Sequence, residues 1–349
     1  MSERVILASG EKLRRGDRAG RPRRSAPEAR SPEASGAERT AIERAVLVTK
    51  PTAWEELLVR FGTHGQARFW LERAGEDVDA IEAEHERYHT ALGAVRRQIP
   101  GELRVQVLGR DLLPQYRFDA SDVVVVLGPD GLVVNAAKYL AGQPVVAINP
   151  DPESIEGVLL PVEIDQASRA IARAVRHDAA LRAISMAEAM TSDGQRLLAM
   201  NDLYIGARTH VSSRYTLDHG GRSERHSSSG VIVSTGAGST GWLRSVIAGA
   251  RGVAVACGGA VPLAPEDVRF AWDAEKLVFA VREPFPSVAS GAEVVWGEVT
   301  RRAPLRLTSH MAEGGAIFGD GVEADFLPFR RGVSVTVGVS AQKTWLVTP

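Results

Sequence analysis

The sequence predicts an α/β N-terminal domain with a parallel sheet, followed by a mainly β C-terminal domain. Three observations carry that expectation. Residues 123–127 are an unbroken apolar run, Val-Val-Val-Val-Leu, as in a strand buried on both faces of a parallel sheet. Val133, Val134, Ala137, Tyr139 and Leu140 then recur at helical spacing before a second apolar run at 144–148, so the order strand, helix, strand reads as a parallel crossover. From Gly194 onward short alternating runs dominate, separated by Gly, Pro and Asp clusters.

Taken in order, residues 46–48 read as a short strand. Pro51 opens a helix over 54–61. Residues 66–74 and 78–97 read as two more helices parted by Gly75, and 104–108 as a strand. The Ala- and Arg-rich stretch 166–190 reads as one helix linking two halves. Strands are expected over 197–205, 211–217, 231–235, 277–281, 305–308, 333–339 and 344–347. Residues 1–43, rich in Arg, Ser, Ala, Pro and Glu, lack the apolar side chains to offset ordering entropy and read as a disordered tail. The expected division is a tail at 1–43, an α/β domain at 44–163, a β-rich domain at 164–330, and C-terminal strands at 331–349 that close the fold.

Composition narrows the function classes. With 349 residues the chain is long enough for two domains and a substantial core. A formal net charge of -1 supplies no global basic field, so no nucleic-acid partner is expected. The longest apolar stretch, 253–264, is short and broken by Gly258, Gly259 and Pro262, so no membrane partner is expected either. The single cysteine, Cys257, excludes an intrachain disulfide and a cysteine-only zinc site. It suits a reducing compartment, and a cytoplasmic setting is the expectation.

Two motifs invite readings that their surroundings do not favour. His85 and His89 match H-E-x-x-H, whose spacing puts two imidazoles on one helix face for zinc. The helix around them is strongly polar and no third ligand stands out downstream, so it reads as a solvated face and no metal site is assigned. The run 236–241, Gly-Ala-Gly-Ser-Thr-Gly, matches G-x-G-x-x-G between a strand and a helix. The region before it is β-rich and the motif does not open a domain. A ligand-cradling loop fits better: glycines admit close backbone approach, and Ser239 and Thr240 add hydroxyls.

The run 128–131, Gly-Pro-Asp-Gly, is a sound β-turn taken alone. Its setting adds meaning. It lies at the carboxyl end of a buried parallel strand and at the start of a helix, where open α/β sheets bind ligands and helix amides favour anions. Asp130 would aim a carboxylate at bound phosphate or at an attacking hydroxyl. Lys138 is placed to reach a phosphate, but reads rather as a solvated lysine. Arg244 reads equally as a phosphate contact or a surface ion pair, and Asp151 equally as a ligand or a turn residue. His226 is assigned no role.

These segments together resemble the NAD kinase family. A strand ending in Gly-x-Asp-Gly, a helix, and a strand ending at Ile148-Asn149 look like its core. Ala199-Met200-Asn201-Asp202 is similar to its Asn-Glu motif. The run 229–242, from Ser229 to Trp242, is similar to its second glycine-rich loop, and Gly319-Asp320-Gly321 to its late Asp-Gly turn. The resemblance spans roughly residues 46–340. Within the family, residues 144–153, Ser212-Ser213-Arg214 and Ser228-Ser229-Gly230 look closest to the mitochondrial-type branch.

The resemblance implies transfer of the γ-phosphate of ATP, with Mg²⁺ or another divalent metal, to the 2′-hydroxyl of the adenosine ribose of NAD, and a homodimer. It implies Asp130 as the catalytic residue. Gly128, Gly131, Asn149, Asn201, Asp202, Ser229, Thr235, Gly236, Gly238, Ser239, Thr240 and Trp242 would bind phosphate and nucleotide. Two positions depart from the family: Pro129 stands where most relatives carry Gly, and Ser229 where many carry an acid. A kinase of another small-molecule or lipid hydroxyl, and a non-catalytic NAD- or nucleotide-binding protein, stay open as alternatives.

Overall fold

The computed structural model describes residues 40–259, 264 and 266–349. The expected tail at 1–43 therefore falls outside the described residues except for its last four. The elements follow in chain order: β1 Arg44–Thr49, α1 Ala53–Phe61, α2 His64–Ala74, α3 Val78–Gln98, β2 Arg104–Gly109, β3 Asp122–Leu127, α4 Asp130–Ala137 and β4 Pro144–Ile148. Then come α5 Ala167–Val175, β5 Ala180–Thr191, β6 Arg196–Ala199, β7 Asp202–Ala207, β8 Ser213–His219, β9 Arg222–Ser228 and β10 Val231–Ser234. The chain ends with α6 Trp242–Ala256, β11 Leu277–Val281, β12 Trp296–Val299, β13 Leu305–Ser309, β14 Gly315–Gly319, β15 Val322–Pro328 and β16 Ser334–Thr348.

Two sheets organise these elements. In the first, β2, β1, β3 and β4 run parallel in that order and continue through β16, β13, β8 and β9. The join is β16, parallel to β4 through Trp345 and Leu346, antiparallel to β5 along most of its length and antiparallel to β13 from Ser334 to Val337. The second sheet has the order β12, β11, β10, β7, β14, β15. Every residue of β3 is buried, as the apolar run requires. One core lies on each face of the parallel strands, and a third fills the space between the two sheets. Among the described residues no helix is long and apolar enough to cross a membrane.

Three expectations are corrected. The stretch 166–190 is not one helix: α5 stops at Val175, His177 takes a positive φ of 57°, and β5 begins at Ala180. Pairing along almost the whole of β16 overrides the helix preference of its alanines and buries Ile184 and Met186. The expected strand 197–205 is broken at Met200 and Asn201, where the chain turns from β6 into β7. The two terminal strands are one, β16, irregular between Val339 and Lys343.

Candidate active site

The carboxyl ends of β1, β2 and β3 open into a cleft of about 860 Å³. Lys50 follows β1, Arg110 follows β2, and Pro129 and Gly131 follow β3, all on its wall. The opposite wall comes from the second sheet and its loops: Asn201, Asp202 and Tyr204 before and on β7, Ser229 before β10, Trp242 at the start of α6, and Phe318 on β14. Arg208, His210 and Arg282 complete a ring of basic groups. The rings of Tyr204 and Trp242 stack at 5.8 Å, those of Tyr204 and Phe318 at 6.0 Å, and the Arg282 guanidinium lies 5.3 Å from the Trp242 ring centre. The cleft thus offers flat aromatic faces beside cations.

Asp130 opens α4, and its Oδ1 accepts the Leu159 amide at 2.5 Å. Its neighbours Pro129 and Gly131 line the cleft while its own carboxyl is turned to that loop. Gly128 is buried directly behind. Asn149 is buried and builds the turn after β4: its amide nitrogen donates to the Ile155 carbonyl and its oxygen accepts the Asp151 amide. Its role here is to hold the loop.

The Asn-Asp segment is organised by Asp320. Asp320 and Gly321 form the two-residue turn between β14 and β15, with φ of 55° and 68°, as hairpin turns of this kind need. The Asp320 carboxylate accepts the amides of Met200 at 2.8 Å, Asn201 at 2.8 Å and Asp202 at 3.1 Å. Those three bonds turn β6 into β7 and explain the break that the sequence did not suggest. Burial pushes the Asp320 carboxyl up to about 6, against the Met200 and Asn201 amides and the Lys138 charge. Burial also pushes Asp202 up to about 7, against a hydrogen bond from Ser234, and the charge of Asp320 adds to the rise. Asp202 Oδ1 is buried without a hydrogen-bond partner.

The second glycine-rich loop packs on protein rather than lining the cleft. A Cβ on Gly236 would lie 2.0 Å from the Ala271 carbonyl oxygen, and one on Gly238 would lie 2.3 Å from that of Asn201. Thr235 Oγ1 donates to the Met200 carbonyl at 2.5 Å and accepts the Gly238 amide, and Ser239 Oγ donates to the Gly236 carbonyl at 2.7 Å. Thr235 and Ser239 are buried, whereas Thr240 is exposed. Of the loop's named residues only Ser229 and Trp242 line the cleft.

Lys138 is a correction. It is buried, with Nζ on the Gly319 carbonyl at 3.1 Å and 2.9 Å from an Asp325 oxygen, so it latches α4 to the β14–β15 hairpin. Tyr139 donates to the same carboxylate, and Asn135 donates to the Asp320 carbonyl. Arg244 makes an exposed ion pair with Glu266, and Asp151 pairs with Arg87. Sequence reasoning missed Lys50, Arg110, Arg208, His210 and Arg282. They are scattered along the chain, and only the topology gathers them.

No family profile matches the chain. Over 190 residues it is 26% identical to an NAD kinase of Geobacter metallireducens. The match takes in 53% of this chain and 60% of that protein, so the chain spans about three fifths of the length of the curated relative it matches. Among solved structures it is similar to yeast NADH kinase complexed with NADH, at a TM-score of 0.51 and 14% identity, covering 89% of this chain and 84% of that one. It is also similar to an NAD kinase from Archaeoglobus fulgidus in complex with ATP, at a TM-score of 0.50 and 18% identity, covering 87% of this chain and 93% of that one. An α/β half with a parallel sheet, a mainly β half, and these likenesses together show that the chain has the fold of the NAD kinases.

Proposed function

We propose that the chain is an ATP-dependent kinase that phosphorylates the 2′-hydroxyl of the adenosine ribose of NAD to give NADP. The observation that carries this reading is convergence. Segments far apart in sequence, at Pro129 and Gly131, Asn201 and Asp202, Ser229, and Trp242, line one cleft together with five basic groups. The similarity to the bacterial NAD kinase supports the same activity. Residues 44–163 then supply Asp130, Lys50 and Arg110, and residues 164–330 supply the acceptor-orienting Asn201 and Asp202 with the other three basic groups.

In this reading the basic ring neutralises phosphates and the aromatic faces hold a base. Asn201 and Asp202 orient the acceptor. The ribose oxygen bonds to the γ-phosphorus as the bond to the β–γ bridging oxygen breaks, and ADP leaves. The hydroxyl proton passes late to Asp130, because an ordinary carboxylate, with a pKa of about 3.9, is too weak a base to remove it early. Asp130 must first release the Leu159 amide or work through its second oxygen. The donors on the cleft wall include the carboxylates of Asp202 and Glu323 and no cysteine, which fits Mg²⁺ better than a softer ion. When bound, Mg²⁺ would offset charge on the transferring phosphate. The mitochondrial-type branch and a homodimer belong to the same reading and rest on the residues that resemble that branch, while a cytoplasmic setting rests on the single cysteine.

Asp130→Asn tests the role of Asp130. NAD and ATP should still bind by calorimetry while turnover falls by about 100-fold or more. Unchanged turnover in this variant would remove Asp130 from the mechanism.

A further inference from the structure

A second cluster of chemically capable side chains lies outside the cleft, between α1 and α3. His85 and His89 sit one turn apart on α3 with ring centres 4.4 Å apart. The third member comes from upstream: Glu55, on the first turn of α1. One ligating atom from each of Glu55, His85 and His89 lies within 4.8 Å of the other two. Glu55 Oε1 is already 3.1 Å from His89 Nε2.

Thr52 orients two of the three. As N-cap of α1 its amide donates to Glu55 Oε2 at 2.8 Å, and its hydroxyl bonds His85 Nδ1 at 2.8 Å. Outer contacts of this kind fix ring and carboxylate orientation in metal sites. The helix face read from sequence as merely solvated is therefore engaged. His85 is part-buried, and the third ligand lies upstream of the histidine pair, on α1, rather than downstream of it.

We propose that Glu55, His85 and His89 form a binding site for a divalent transition ion of the zinc type, with a fourth position open to water. This inference does not depend on the kinase reading. Two imidazoles and one carboxylate suit zinc, whereas Mg²⁺ prefers an all-oxygen set. Tetrahedral bonds of about 2.0–2.1 Å place ligand atoms about 3.4 Å apart, so small side-chain rotations close the site. The ion would clamp α1 to α3 and so steady the segment between β1 and α1, where Lys50 lines the cleft.

The test uses the full chain without a histidine tag, stripped by chelator and titrated with Zn²⁺ by calorimetry and with Co²⁺ by visible absorption. One equivalent should bind, Co²⁺ should give the intense bands of a tetrahedral site, and Zn²⁺ should raise Tm. Glu55→Gln keeps the capping box of α1 but weakens the ligand. His89→Ala removes an exposed ring. Each should weaken binding by about 100-fold and abolish the Tm shift, since losing an outer contact alone costs about 10–100-fold. If His89→Ala fails to fold, Glu55→Gln decides. Failure of the wild type to bind Zn²⁺ stoichiometrically, or wild-type affinity in both variants, would overturn the proposal.

Discussion

The two glycine-rich loops look alike in sequence and behave differently in the fold. The first, at 128–131, turns from β3 into α4 and presents Pro129 and Gly131 to the cleft, where a Cβ on Gly131 would meet nothing within 4 Å. The second, from 236 onward, spends Gly236 and Gly238 on contact with the protein's own backbone at Ala271 and Asn201. A glycine motif therefore reports that something approaches closely. It does not report whether that something is a ligand or the chain itself.

Substitutions sharpen the contrast. Gly236→Ala should have the largest effect, because its Cβ would meet a backbone oxygen that cannot move cheaply. A loss of about 3 kcal/mol in urea unfolding is expected. A tolerated alanine there would erase the distinction between the loops. Lys138→Met comes next. It keeps the apolar stem but leaves Asp325 and the Gly319 carbonyl without their cation, for a loss of about 2–3 kcal/mol, and it loosens the helix that carries the first loop.

Asp202→Asn acts through pH. The folded carboxyl binds its proton up to about 7 against an ordinary 3.8, so its contribution to stability is present at low pH and lost as pH rises between those values. The variant should therefore gain on the wild type between pH 5 and pH 8, by on the order of 1–2 kcal/mol in denaturant midpoints at the two pH values. Gly131→Ala should be the mildest, changing stability by about 0.5 kcal/mol or less, with calorimetry showing whether the added methyl weakens nucleotide binding.

The same contrast explains what the sequence could reveal. The run at 123–127 was legible because full burial on both faces leaves no polar alternation to confuse with anything else. Gln166 to Met190 was not, because the partner that makes its second half a strand, β16, lies at the far end of the chain. Asn201 and Asp202 were found by their motif. The device that turns them, Asp320 accepting three amides, needs the fold to be seen. The basic ring was invisible for the same reason: Lys50 and Arg282 become neighbours of one cleft only through the two sheets. Lys138 misled because a lone lysine on a short helix carries no sign of the carboxylate waiting on β15.

The most direct test of the central claim is product formation by the purified wild-type protein given ATP, Mg²⁺ and NAD, read with a strictly NADP-dependent dehydrogenase. The account predicts that NADP accumulates in step with ADP. Binding of NAD and ATP without any NADP would contradict it and leave a nucleotide-binding protein or a kinase of another hydroxyl.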